Sequence, residues 1–174
     1  MDYEIKPTSR VELRLYAKLF RTVCGFSENE VIDPIALLDR LPDLEGFHDV
    51  RYEIVYNNEL PGNVPAQCMT TEDGYLIQIK ESVYNSARLK KTGGSRMHIM
   101  HEIMHTLLDK LDFKPIFSRR LSSDVPPYRR LEWATKALAG EVMMPYEFTQ
   151  DMTEKELMKQ YGVSSAAAKI RLTY

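Results

Sequence analysis

The sequence lacks several features that would each place it in a particular class of protein. It has only two cysteines, Cys24 and Cys68, in 174 residues, and their separation excludes a C-x-x-C motif, so a disulfide framework is not expected. No apolar run approaches the roughly 18 residues of a membrane-spanning helix. The formal net charge of −2 gives no overall basic field for nucleic acid or anionic membranes.

The amino-terminal residues also lack a targeting pattern. Met1 to Glu4 contain neither the basic segment nor the apolar segment of a secretory signal. The two cysteines are expected to be reduced packing residues. Together with the missing targeting pattern, this predicts a cytoplasmic protein with no membrane partner. Apolar residues make up 44% of the chain, enough for a core, and we expect a domain over residues 1–150 with a small helical lobe over residues 151–174 packed on it.

Local patterns predict helices in the first quarter of the chain. A capping box from Ser9 to Glu12 begins a helix over about residues 10–24. Its predicted buried face consists of apolar residues at helical spacing: Val11, Leu15, Tyr16, Leu19, Phe20 and Val23. Asp33 and Pro34 then supply an N-cap and a first helical residue for a short helix that should end at Pro42.

The next segments predict a small sheet. Apolar and polar residues alternate from Val50 to Tyr56, as in a half-buried strand. Residues 66–71 and 75–81 are strand-like and flank a turn signal, which predicts an antiparallel hairpin. The expected fold is therefore α+β, with a small antiparallel or mixed sheet packed on helices. Residues 113–128 show no clear period and are predicted to form a long loop, and long loops in compact domains are often lids or binding loops.

The most informative stretch runs from Ser95 to Asp109 and contains His101, Glu102 and His105 in the order H-E-x-x-H. Ser95 is the predicted N-cap, after a turn over residues 92–94. The helix assignment rests on apolar residues at three- and four-residue steps: Met97, Met100, Met104, Leu107, Leu108 and Leu111.

On such a helix the spacing of the histidines favours a metal site. His101 and His105 lie one turn apart and can present their ring nitrogens to one Zn²⁺, while Glu102 lies about 100° round the helix, within reach of a water molecule beside the metal. Two alternatives stay open at this stage. The two histidines could be four apart by chance on a core helix, or His98 could be the partner of His101 in a rival His-x-x-His pair.

A third ligand must lie further along the chain, because two imidazoles leave zinc under-coordinated. Glu132 and Glu141 both fall in a helical run over residues 129–144, but nine residues turn a helix by about 900°, which places them on opposite faces. We favour Glu132, which shares its face with the small residues Thr135 and Ala139. The alternative is that Glu132 is only a favourable acid in the first turn of a helix.

Three blocks of this sequence resemble the ImmA/IrrE family of metallopeptidases. They are residues 96–105 with the H-E-x-x-H motif, residues 132–145 ending in Met144 and Pro145, and residues 161–164 followed by Arg171 and Leu172. The resemblance implies a zincin-like minimal metallopeptidase core. It implies His101, His105 and Glu132 as Zn²⁺ ligands and Glu102 as the catalytic acid/base.

The resemblance also implies a biological role. Members of the family typically cleave a helix-turn-helix repressor and so relieve repression of a mobile element or a stress regulon, which predicts a zinc endopeptidase with a protein substrate. The sequence departs from the family pattern at four positions. Thr135 and Lys136 replace a small residue and asparagine, Leu138 replaces phenylalanine, and Met104 replaces glycine. Lys136 is expected to alter the cleft.

Two further questions remain open from the residues. Tyr128, Tyr146 and His98 are candidates to stabilise an oxyanion, with none favoured.

The segment from Glu154 to Leu172 has the helix, turn and helix order of a DNA-reading element, so a DNA-binding module is the alternative function. Its apolar residues, Leu157, Tyr161, Val163 and Ile170, are expected to form a buried face that packs beside the core. A charge balance of about +1 over residues 151–174 and an alanine-rich second helix argue against direct contact with nucleic acid.

Overall fold

The computed structural model describes residues 3–116 and 125–174. Part of the predicted loop over residues 113–128 therefore lies outside the described residues. The helices and strands, in chain order, are α1 (Arg10–Val23), α2 (Pro34–Arg40), β1 (Val50–Val55), β2 (Ala66–Thr71), β3 (Gly74–Lys80), α3 (Glu81–Leu89), α4 (Gly93–Lys110), α5 (Leu131–Met143), α6 (Glu154–Tyr161) and α7 (Ser165–Thr173). None of the helices in the described part of the chain is long and apolar enough to cross a membrane.

The three strands form one mixed sheet in the order β1-β3-β2. β1 runs parallel to β3, with Val50 opposite Tyr75, and β2 runs antiparallel to β3, with Ala66 opposite Ile79. The predicted hairpin and the predicted α+β fold are confirmed. β2 is an edge strand, and α4 packs beside it.

The predicted buried face of α1 is confirmed at Phe20 but is wrong at Val11, Leu15, Leu19 and Val23, which are exposed. Val11 and Leu15 are each 63% exposed, whereas Leu13, Ala17 and Phe20 are buried in the face that packs toward α5. Both sets have helical spacing, so periodicity alone cannot choose between them. Packing against α5 decides which set enters the core.

Helix α4 begins earlier than predicted. Its N-cap is Thr92 rather than Ser95, and the amide of Arg96 donates to the carbonyl of Thr92 over 3.0 Å. Gly93 can start the helix here because its missing side chain leaves room for the backbone of Val163, which a Cβ atom would approach to 2.3 Å. The buried side of α4 consists of Ile99, Met100, Ile103, Met104 and Leu108, which are fully buried.

The carboxyl-terminal segment forms the predicted pair of short helices. Thr153 closes a capping box on α6, and Gly162, in the left-handed conformation with φ of 62°, ends that helix. Leu157 and Tyr161 are buried as expected, but Ile170 is 49% exposed. The expectation that Ile170 belongs to the buried face is wrong, because Ala168 and Arg171 occupy the inward positions of α7.

The two cysteines are free thiols, as predicted. Cys24 is buried in the core, and Cys68 on β2 is partly buried. Burial raises the pKa of each thiol to about 12. Both are therefore packing residues in their neutral form.

Candidate metal centre

Helices α4 and α5 bring together the three predicted ligands. The Nε2 atoms of His101 and His105 lie 3.1 Å apart, and the two rings are nearly perpendicular, at 87°. Glu132, in the first turn of α5, places its carboxylate oxygens 3.3 Å from Nε2 of His101 and 3.4 Å from Nε2 of His105. One nitrogen from each histidine and one carboxylate therefore converge on a common point.

The donor set fits a zinc ion. Ligand atoms about 2.0 to 2.1 Å from a tetrahedral zinc lie about 3.3 Å from one another, close to the separations found here. The donor atoms of His101, His105 and Glu132 all lie within 4.8 Å of one another, and the described residues contain no other such group of three. Two histidines and a glutamate leave a fourth position for water or substrate, which is the pattern of a catalytic rather than a structural zinc site.

The surroundings prepare the histidines for ligation. Burial lowers the pKa of His101, so its ring is neutral and has a lone pair to offer. The hydroxyl of Thr135 donates to the carbonyl of Leu131 over 2.8 Å and lies 3.5 Å from Nδ1 of His105. Its oxygen can thus accept a hydrogen bond from Nδ1–H of His105, which leaves Nε2 unprotonated toward the centre.

Glu132 and Glu102 differ in their environments. Hydrogen bonds with His101 and His105 lower the pKa of Glu132, which stays an anion. Glu102 is 8% exposed, and burial raises its pKa to about 7, although the backbone N–H of Cys68 donates a hydrogen bond to it. The edge strand β2 therefore fixes the orientation of the carboxylate that neighbours the ligands.

The alternative third ligand, Glu141, lies on the opposite face of α5. It is 2% exposed, and its two oxygens pair with the guanidinium of Arg171 over 2.6 and 2.7 Å. Arg10 approaches the same carboxylate to 3.2 Å and Arg14 to 3.5 Å. The structure thus brings Glu132, and not Glu141, to the histidine pair. The pairing of Glu141 with Arg171 could not be predicted from the sequence, because the two residues are 30 positions apart and no motif links them.

The three oxyanion candidates occupy different places. His98 lines the cleft beside His101 and Glu132, outside the group of converging donors. The ring of Tyr146 lies 3.6 Å from the guanidinium of Arg14 and faces a different cavity. Tyr128 is 49% exposed. Of the three, only His98 is among the residues that line the cleft of the candidate centre.

The centre lies between two cavities. One, of about 420 Å³, is bounded by α5 and α7, and the other, of about 710 Å³, extends along β2. His101, Glu102 and Glu132 line both, as do Pro65 and Ala66 at the start of β2. A bound chain could therefore continue on both sides of the histidines.

The small mixed sheet, the helix with the H-E-x-x-H motif and the glutamate of the following helix are compatible with a minimal zincin-like core. The family model Peptidase_M78, described as IrrE N-terminal-like domain, matches residues 66–173. The match covers more than half of the 174-residue chain and includes the whole candidate centre, so the chain belongs to this peptidase family. The resemblance drawn from the sequence is confirmed. No curated protein and no solved structure matches the chain.

Proposed function

We propose that this protein is a zinc-dependent endopeptidase that cleaves a helix-turn-helix transcriptional repressor, and so relieves repression of a mobile element or a stress response. The observation that carries the peptidase chemistry is the convergence of His101, His105 and Glu132, with Glu102 beside them, in the cavity along β2. The family match supports the same class of reaction.

The residues of the centre divide the work of amide hydrolysis. His101, His105 and Glu132 would hold Zn²⁺, which supplies a Lewis acid for the scissile carbonyl and makes a water molecule more acidic. Glu102 takes a proton from the attacking water and passes it to the leaving amine. The hydrogen bond from the Cys68 N–H keeps the Glu102 carboxylate in place for both transfers.

The shape of the cleft favours an endopeptidase over an exopeptidase. An exopeptidase requires a closed end that holds a chain terminus. Here the cavities on either side of His101 and Glu132 leave room for substrate in both directions. An internal peptide bond of a longer chain can therefore reach Glu102, as endopeptidase activity requires.

The repressor substrate is supported by the family resemblance, and a direct experiment tests it. The zinc-loaded protein is incubated with the helix-turn-helix repressor encoded beside its gene, and the products are identified by mass spectrometry. We expect cleavage at one or a few peptide bonds and no cleavage by the Glu102→Gln variant. An intact repressor after incubation with the zinc-loaded wild type would reject this substrate.

A DNA-binding module remains the second candidate, since α6, the Gly162 turn and α7 have the order of a helix-turn-helix element. The contacts of α7 favour the DNA-binding function less than the peptidase function. Arg171 is buried in its pair with Glu141, and Ala167 and Ile170 line the cleft. Arg171 is therefore not available to contact DNA, and part of the α7 surface that would contact bases instead lines the cleft.

A further inference from the structure

Lys136 places a positive charge in the cleft beside the candidate centre. It lies one helical turn after Glu132 on α5, and it lines the cavity of about 420 Å³ together with His98 and His101. Burial and then the positive charge of Lys136 lower the pKa of His98. Within residues 3–116 and 125–174, the exposed ammonium of Lys136 makes no hydrogen bond or ion pair.

A second group of cations adds to the field in the same cleft. Arg10 and Arg171 both line it, and both pair with Glu141, which Arg14 also approaches. One carboxylate thus faces three guanidinium groups, so this cluster keeps an excess of positive charge. A cleft with low-dielectric walls concentrates such a field on whatever binds in it.

The remaining walls are mostly apolar and include small residues. The acids that line the cleft, Glu102 and Glu132, belong to the proposed centre. The uncharged lining residues other than the histidines are apolar except for Asn63: Pro65, Ala66, Met97, Ala139, Gly140, Met144, Ala167 and Ile170. This surface suits a side chain with a short aliphatic stem and a negatively charged end, because the stem contacts the apolar wall while the carboxylate reaches a cation.

We propose that Lys136 determines substrate specificity by binding an acidic side chain, glutamate or aspartate, close to the scissile bond. The inference rests on the proposed peptidase function and adds a substrate class to it.

Binding can be measured separately from cleavage. The probes are short N-acetylated, C-amidated peptides of alanine and serine with one glutamate or glutamine placed at each position in turn, and the protein is the zinc-loaded Glu102→Gln variant. At one position we expect glutamate to bind about fivefold more tightly than glutamine, the size of a partly exposed ion pair. Adding Lys136→Gln should abolish this preference, and adding Lys136→Glu should reverse it in favour of a lysine peptide.

Two control variants separate recognition from general effects of charge and folding. Lys159→Gln removes the same charge from an exposed position on α6 that does not line the cleft, and it should leave the preference intact. Lys136→Arg should retain most of it. Equal affinities for the glutamate and glutamine peptides, no binding of either, or a preference that survives Lys136→Gln would each overturn the inference.

Cleavage of the same peptides by the zinc-loaded wild type tests the proposed function independently. Glutamate-selective binding without any cleavage, of these peptides or of the repressor, would count against the peptidase while the acid-binding role of Lys136 stands. Cleavage that ignores the acidic residue, together with equal binding, would reject the role of Lys136 and leave the peptidase intact.

Discussion

Replacing Glu141 and Glu132 separately by alanine should damage the protein in two different ways, although both acids lie on α5. The side chains of Glu141 and Arg171 are 1% and 2% exposed, and their closest atoms are 2.6 Å apart. Glu141→Ala leaves the guanidinium of Arg171 buried without its carboxylate. The side chain of Glu132 is 39% exposed, so Glu132→Ala removes a group that water can partly replace.

The expected magnitude follows from the burial of the pair. Removing one partner of a buried ion pair costs about 3 to 5 kcal/mol. For a chain of this size each kcal/mol lowers the Tm by roughly 2 to 4 °C, so Glu141→Ala should lower the Tm of the metal-free protein by about 6 to 20 °C. Glu132→Ala should lower that Tm much less, yet it should remove most of the bound zinc.

The assay combines elemental analysis of zinc with thermal unfolding after chelation. A double variant, Glu141→Met with Arg171→Met, should be more stable than Glu141→Ala, because it leaves neither charge of the pair buried alone. The reasoning would be refuted if Glu141→Ala lost its zinc at an unchanged metal-free Tm. Full zinc occupancy in Glu132→Ala would equally show that the third ligand lies elsewhere.

Four further outcomes are expected. Metal analysis should find about one zinc per chain, and His101→Ala or His105→Ala should lose most of it; full occupancy in both variants would contradict the site. Glu102→Gln should keep its zinc and its Tm while repressor cleavage falls by several orders of magnitude, and normal cleavage would exclude Glu102 as the base. Gly93→Ala should lower the Tm, because a Cβ would meet the backbone of the segment before α7 at 2.3 Å, whereas the control Gly94→Ala, with no atom within 4 Å, should not. Gel-shift titrations should show negligible binding of duplex DNA by the intact chain, and sub-micromolar, sequence-dependent binding would favour the alternative function.

The parts of the centre that the sequence predicts are those fixed by helix geometry. His101 and His105 are one turn apart, so their proximity follows as soon as α4 is helical. The nine-residue separation of Glu132 and Glu141 likewise forces opposite faces, and the structure shows Glu132 beside the histidines and Glu141 in the interior. In both cases the spacing within one helix carries the prediction.

Features that depend on contacts between distant segments could not be predicted from the spacing of residues within one helix. Leu15 and Leu13 both belong to apolar stripes of α1, and only contact with α5 selects Leu13 for the core. The N-cap lies at Thr92 rather than Ser95 because Gly93 permits close approach of the segment before α7. The inward position of Arg171 depends on a carboxylate 30 residues earlier in the chain.

The pairing of Arg171 with Glu141 also bears on the cleft itself. It joins α7 to α5, and α7 contributes Ala167 and Ile170 to the wall of the cavity that Lys136 also lines. Loss of the pair should therefore loosen that wall as well as lower the Tm. At a temperature where Glu141→Ala is still folded and fully loaded with zinc, we expect its KM to rise more than its kcat falls, because the centre on the opposite face of α5 is unchanged while the substrate-binding surface is not. A selective loss of kcat with unchanged KM would instead place the effect of Glu141 on the chemistry and argue against a wall held by this ion pair.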